Sequence, residues 1–263
     1  MTITGIAAGV PFVALEPAGV DGPAPLVVTW HLMDAPRTEV AMASALPMND
    51  LPAWRVYFGL PMSGRRALPG GDEEFFTLSA QDAVLNVFGP VTSQAAAEFP
   101  AAVADLRTQL SIADGPVFVA GGSAGSLVAY EVIARAEVEI AAGAVVSPVT
   151  QLAPMIAANE RRFEITYNWS AESHKVAEHY DFVRRASEIN IPLLMVVGED
   201  DDIAVREPAA LGHKAIADSE LVTIPGMQHA LADGDGIEAS PQTEDAKRVD
   251  AEFTRWFAKY LQG

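Results

Sequence analysis

Val117-Phe118-Val119-Ala120-Gly121-Gly122-Ser123-Ala124-Gly125 is the stretch that decides the fold. It begins after Gly115-Pro116, a turn dipeptide, as a short unbroken apolar run. Such a run suits a strand buried on both faces, as in a parallel sheet. From Ser123 to Ala136 the composition changes to helix formers. At the junction, Gly121 to Gly125 fits G-x-S-x-G. A turn this sharp leaves little room for side chains beside it, and Gly121 and Gly125 meet that need. The turn lifts the Ser123 hydroxyl clear of the sheet, near a helix N-terminus whose free N–H groups can stabilise an oxyanion. Gly-rich strand–helix turns also serve phosphate binding or plain tight packing. The strand before and the apolar helix after favour a nucleophile at Ser123.

The same rhythm continues on both sides. Short β-rich runs occur at Leu26–Trp30, Arg55–Leu60, Ala144–Ser147, Leu193–Gly198 and Leu221–Ile224. Helical patterns separate them: Phe99, Val103, Leu106 and Leu110 fall on one helix face. Near the C-terminus Ser240 has the character of an N-cap and Pro241 of a first helical residue. That helix buries Ala246, Val249, Phe253, Trp256, Phe257 and Tyr260. Its other side, with Asp245, Lys247, Arg248, Glu252, Arg255 and Lys259, is a solvated face. The alternation predicts an α/β fold with a mostly parallel, doubly wound sheet and helices on both faces. Thr2–Ile6 and Pro11–Glu16 would add an antiparallel edge hairpin. Residues 1–263 form one domain on this reading. The segment 148–189 breaks the rhythm: no clear strand, but Phe163, Tyr167, Trp169, Tyr180 and Phe182. It predicts two or more inserted helices, either a cap over a site or an excursion packed for stability.

Half of the 263 residues are apolar, enough for a sizeable core. The net charge of −18, from 35 acidic and 17 basic side chains, repels phosphate backbones and anionic lipid. Nucleic-acid and membrane partners are therefore not expected. With no cysteine, disulfides, thiolate metal sites and a cysteine nucleophile are excluded. Residues 1–19 have no basic start followed by an apolar run, and no apolar stretch reaches membrane-spanning length. A cytoplasmic protein is the expectation.

A serine hydroxyl needs a base to take its proton. Of the histidines at 31, 174, 179, 213 and 229, His229 follows the last predicted strand, in Pro225-Gly226-Met227-Gln228-His229. That is the end of the strands where α/β sheets place ligands. His174 and His179 fall in the insertion and line a pocket or face water. His213 sits in a helical pattern. An imidazole base needs an acid to hold its tautomer. Gly198-Glu199-Asp200-Asp201-Asp202 follows a strong buried strand. A solvated turn or oxygen ligands for a cation are alternatives, but the spacing lacks the alternation of a calcium loop. The chain order serine, acid, histidine is that of the α/β-hydrolases.

On these motifs the sequence resembles the α/β-hydrolase superfamily, of the serine carboxylesterase kind, from the His31 region to the terminal helix. The resemblance implies that Asp201, three residues after a strand-ending glycine, is the acid, and that Gly226 to His229 is the histidine turn. It also implies that the Met33 and Ala124 N–H groups form an oxyanion hole. Leu32 stands where the family carries a glycine after His31, which makes the Leu32 N–H the alternative donor. His31 itself would pin this loop. The implied reaction is cleavage of a small-molecule carboxylic ester through an acyl-enzyme, with catalytic Ser123, Asp201 and His229 and neither metal nor organic cofactor. Thioesterase, lactonase or acyltransferase chemistry on the same residues is the alternative, as is a catalytically idle binding protein. Dienelactone hydrolases commonly use the cysteine this chain lacks. Prolyl-peptidase-type catalytic domains usually carry a large additional domain that this length does not accommodate. The aromatics of 148–189 suggest an apolar acyl or alcohol pocket.

Overall fold

The structure, a computed structural model, describes residues 2–261 except the side chain of Phe163. Eight strands form one sheet: β1 (Thr2–Ala7), β2 (Val10–Leu15), β3 (Leu26–Trp30), β4 (Trp54–Phe58), β5 (Val117–Gly122), β6 (Ile140–Val146), β7 (Leu193–Gly198) and β8 (Ser219–Ile224). Their order is β1-β2-β4-β3-β5-β6-β7-β8. The β1–β2 hairpin and the β2–β4 pair are antiparallel, and all other pairs are parallel. This is the mostly parallel, doubly wound sheet expected from the apolar runs, in the fold that the resemblance implied. The order reverses at β3, which lies between β4 and β5. Ligands of such sheets bind beyond the strand ends at that switch point, and Ser123 follows β5 there.

Alternation along the strands divides the core between two faces. Leu26, Val28, Trp30, Val117, Val119, Leu193 and Met195 pack on one side, with helices α3 (Gly89–Gln109) and α4 (Ala124–Arg135). Val27, Phe118, Ala120, Leu194 and Val196 pack on the other, with α1 (Glu39–Ala45) and α8 (Glu244–Leu261). Trp30 is the keystone of the first face, its ring 5.3 Å from Phe99 of α3 and 6.2 Å from Phe58. Phe118 meets Phe257 of α8 at 5.8 Å on the second. Each such aromatic, fully withdrawn from water, contributes roughly 1.5–3 kcal/mol. Helices α2 (Gly71–Ala83) and α7 (Ile203–Ala215) complete the layers.

The last helix departs from the sequence expectation. It starts at Glu244, not at Pro241, and Thr243 caps it: the Ala246 N–H donates to Thr243 Oγ1 at 3.0 Å. The residues before it are tied to α1 instead. Ser44 donates to the Ser240 carbonyl and Gln242 Nε2 to the Ala45 carbonyl. The face expected to be buried is buried, with Tyr260 half-buried against Trp256.

The insertion between β6 and β7 contains α5 (Leu152–Phe163) and α6 (Ala171–His179). Its described aromatics pack inward on the fold. Phe182 stacks on Tyr130 of α4 at 5.0 Å, and the Tyr167 hydroxyl donates to Asp82. Trp169 stacks on His174. Among the described residues, no helix is long and apolar enough to cross a membrane.

Candidate active site

The turn after β5 is built by three close approaches. A Cβ on Gly121 would stand 2.2 Å from the Gly125 carbonyl oxygen, and one on Gly125 would stand 2.5 Å from the Trp30 and His31 oxygens. Only glycine fits either position. Ser123 itself has φ 46°, ψ −117°, a conformation that costs about 1–3 kcal/mol and persists only where surroundings impose it. The surroundings are specific. The Ser123 N–H donates to the Val146 carbonyl at 3.1 Å, and Ser126 Oγ donates to the Ser123 carbonyl while accepting from Val149 N–H.

The histidine and the acid reach this serine through two loops braced against each other. Gly226, at φ 69°, turns the chain after β8. After β7, the Glu199 N–H donates to the Ile224 carbonyl and the Asp200 N–H to the Met227 carbonyl, both at 3.0 Å. A Cβ on Gly198 would lie 2.1 Å from the Met227 oxygen, so that glycine permits the loops to touch.

Across this frame Ser123, His229 and Asp201 come together. Ser123 Oγ lies 2.9 Å from His229 Nε2, and His229 Nδ1 lies 2.9 and 3.1 Å from the two Asp201 oxygens. With Nδ1 protonated, the hydroxyl donates to the imidazole and the imidazole to the carboxylate. The Asp201 side chain is wholly buried and accepts also from the Asp202 N–H at 2.7 Å. The neighbouring acids are engaged differently. Asp202 caps α7 through the Ala204 N–H, and Asp200 faces solvent. Burial pulls the His229 imidazole down. The hydrogen bond and charge of Asp201 and the charge of Asp34 overcome this and hold it above its ordinary value, with Arg162 opposing them.

The loop after β3 lies against the N-terminus of α4. Leu32 is fully buried, and its side chain fills the space over Gly122, where a Cβ would come within 2.3 Å of Leu32 Cδ1. A branched residue is thus accommodated where the resemblance implied glycine, because Gly122 makes room for it. The Leu32 N–H is taken by the Pro36 carbonyl at 3.1 Å, which removes it as an oxyanion donor. Among the described residues no backbone carbonyl takes the N–H of Met33 or of Ala124. His31 is fully buried and pins the loop. Its Nδ1–H donates to the Leu32 carbonyl at 2.5 Å and its Nε2 accepts from the Leu60 N–H at 3.0 Å. Both bonds suit a neutral ring, and burial brings its pKa down to about 4.

Beside His229 opens a cleft of about 330 Å³, walled by Met155, Ala158, Asn159 and Arg162 of α5, by Asp34, and by the acid loop. None of the described aromatics of the insertion, Tyr167, Trp169, Tyr180 and Phe182, lines it, so they do not form the apolar pocket expected of them here; the Phe163 side chain lies outside the described residues. The four described rings pack on the core side of the insertion instead. A larger cavity of about 500 Å³, between Arg37, Glu39 and Arg65, contains none of the three residues. Sequence reasoning missed Asp34, Asn159 and Arg162. Asp34 had a faint signal, an acid three residues beyond His31 in the loop already singled out. The α5 residues had none.

No curated protein matches this chain in sequence. Solved structures match its fold. TT1662 from Thermus thermophilus is 14% identical with a TM-score of 0.67, and covers 100% of this chain and 98% of its own. Est1E from Butyrivibrio proteoclasticus is 17% identical with a TM-score of 0.64, covering 100% and 99%. The acylaminoacyl peptidase of Pyrococcus horikoshii, 12% identical with a TM-score of 0.69, covers all of this chain with 42% of its own. At such identities the likeness speaks to the fold alone. The family follows from sequence: residues 92–263, from α3 to the C-terminus, match the model of the prolyl oligopeptidase family. That stretch contains the serine turn, the acid loop and the histidine loop, and on this match the chain belongs to the prolyl oligopeptidase family of α/β-hydrolases, a family of serine hydrolases.

Proposed function

We propose that this protein hydrolyses carboxylic esters of small molecules through an acyl-enzyme formed on Ser123. The observation that carries the reading is the unbroken relay from a buried carboxylate through His229 to Ser123 Oγ, each link 2.9 Å long. His229 takes the hydroxyl proton as Ser123 Oγ attacks the ester carbonyl, and Asp201 stabilises the imidazolium. The tetrahedral oxyanion is met by the N–H groups of Met33 and Ala124, the second at a helix N-terminus. His229 Nε2–H then protonates the leaving alcohol. A water activated by the same imidazole attacks the acyl-enzyme and releases the acid. The residues need no metal or organic cofactor for these steps. The insertion 148–189 serves as a cap, with α5 as one wall of the substrate cleft.

Two observations bear on ester against peptide. Family membership favours an amide substrate. One end-to-end likeness is to Est1E, whose complex with ferulic acid, a carboxylic acid, matches over 99% of this chain. In our reading the second favours the ester. Matched p-nitrophenyl esters and p-nitroanilides of the same acyl groups test it. Ester turnover with an acyl-enzyme burst is expected, together with fluorophosphonate labelling of Ser123. Anilide cleavage at equal kcat/KM would replace the ester with a peptide substrate. Labelling elsewhere with Ser123 untouched would remove the mechanism altogether.

A further inference from the structure

The loop that carries Met33 brings a second carboxylate to the site. Asp34 Oδ2 lies 3.6 Å from His229 Nε2, the nitrogen that faces Ser123. Asp201 occupies the other nitrogen. Asp34 is therefore outside the relay and stands beside the atom that hands a proton to the leaving group. Its loop is fixed by backbone bonds: Leu32 N–H to the Pro36 carbonyl, Arg37 N–H to Gly236 and Leu231 N–H to Ala35. Gly236 packs so tightly on this loop that a Cβ there would lie 2.5 Å from Ala35 Cα. The carboxylate is thus presented by a held backbone. The wall around it has the same sign. Asp200 and Asp202 line the cleft, and Arg162 is the one Lys or Arg among its described lining residues.

We propose that Asp34 is a specificity-determining residue, which selects esters whose leaving alcohol carries a positive charge, such as an ammonio- or trimethylammonio-alcohol. The proposal rests on the serine hydrolase reading of Ser123 and His229. A cation on the leaving group alone would oppose the imidazolium that forms at His229. A carboxylate beside Nε2 offsets that repulsion and attracts the cation on entry. Because the cation is present in both bound substrate and transition state, the effect falls mainly on KM. Asp34 is about half exposed, so solvent and salt weaken the attraction.

The test compares esters of one acyl group with 2-(trimethylammonio)ethanol and with its neutral isostere 3,3-dimethylbutanol. At low ionic strength the cationic ester is expected to be preferred about tenfold in kcat/KM, falling several-fold in ~0.5 M salt. In Asp34→Asn the preference should collapse toward one. In Asp114→Asn, which removes a charge at the opposite end of β5, it should remain. A wild-type preference near one, or an equal preference in Asp34→Asn, overturns the proposal while leaving Ser123-dependent hydrolysis intact. Turnover that persists in Ser123→Ala would instead overturn the hydrolase reading. Turnover of neither ester counts against both.

Discussion

His31 and His229 both lie beyond the C-terminal ends of parallel strands, β3 and β8, and the protein uses them in opposite ways. His31 is wholly buried with both nitrogens on backbone groups, and desolvation keeps it neutral. His229 keeps about a quarter of its side chain exposed, and the carboxylates of Asp201 and Asp34 more than offset its burial. What separates a structural pin from a proton carrier here is the partner of each nitrogen, not the residue type or its place in the topology. Peptide groups around an imidazole give it a fixed state. A carboxylate on one side and a hydroxyl on the other give it two accessible states.

The contrast can be broken most directly at the serine relay. Ser123→Ala and His229→Ala should each lower kcat on the order of 10⁵–10⁶-fold, with little change in the urea midpoint. His31→Ala should do the reverse in kind, unfolding at lower urea with a smaller effect on turnover. Asp201→Asn comes next, at about 10³–10⁴-fold in kcat. Asp200→Asn and Asp202→Asn should stay close to wild type, and equal losses in all three would dissolve the distinction drawn within the acid loop. His31→Ala leaves a buried N–H and carbonyl without partners and a cavity. We expect a loss of roughly 3–5 kcal/mol in equilibrium unfolding.

Acidity separates the two rings further. A histidine whose pKa falls on folding is protonated more readily in the unfolded chain. Its stabilising contribution is therefore complete above pH 6.5 and lost as pH drops toward 4. For His31, at about 4 when folded, this amounts to about 3 kcal/mol across that window. Urea midpoints at pH 7 and pH 4 should show it, with a shallower dependence in His31→Gln. For His229 the shift is upward, so the neutral base is lost early: the acid limb of kcat/KM should have its midpoint above 6.5. The smallest effect expected is in Asp34→Asn, where the limb moves down by a few tenths of a pH unit. Asp201 still holds the ring up, Arg162 still opposes it, and Asp200 and Asp202 still line the cleft. An upward movement would reverse the assignment of Asp34.

The sheet was legible in the sequence because burial on both faces leaves continuous apolar runs, as at Leu193–Gly198. The serine turn was legible because a steric demand selects glycine at 121 and 125. His229 and Asp201 were found through chain order and family spacing, since nothing local distinguishes Asp201 from its neighbours. Burial distinguishes it, and burial belongs to the tertiary structure. The same limit explains the false helix start at Pro241. Ser240 and Pro241 have the right local chemistry, but bonds to α1 hold the segment out of the helix. The described aromatics of the insertion departed from the expected pocket for a related reason. Composition shows that rings will be packed, but not on which side, and Tyr130 drew Phe182 inward. The faint signal of Asp34 gained its meaning when residues from 229 to 236 were brought alongside its loop.

The loops bearing the serine's partners are joined largely peptide group to peptide group: Glu199 to Ile224, Asp200 to Met227, Leu231 to Ala35, Arg37 to Gly236. Such joints are indifferent to side-chain identity wherever glycine or proline is not demanded. Mutational drift can therefore repaint the cleft without retuning the distances at its base. A combinatorial library over Asp34, Met155, Ala158, Asn159 and Arg162 should explore new selectivities on an unchanged chassis.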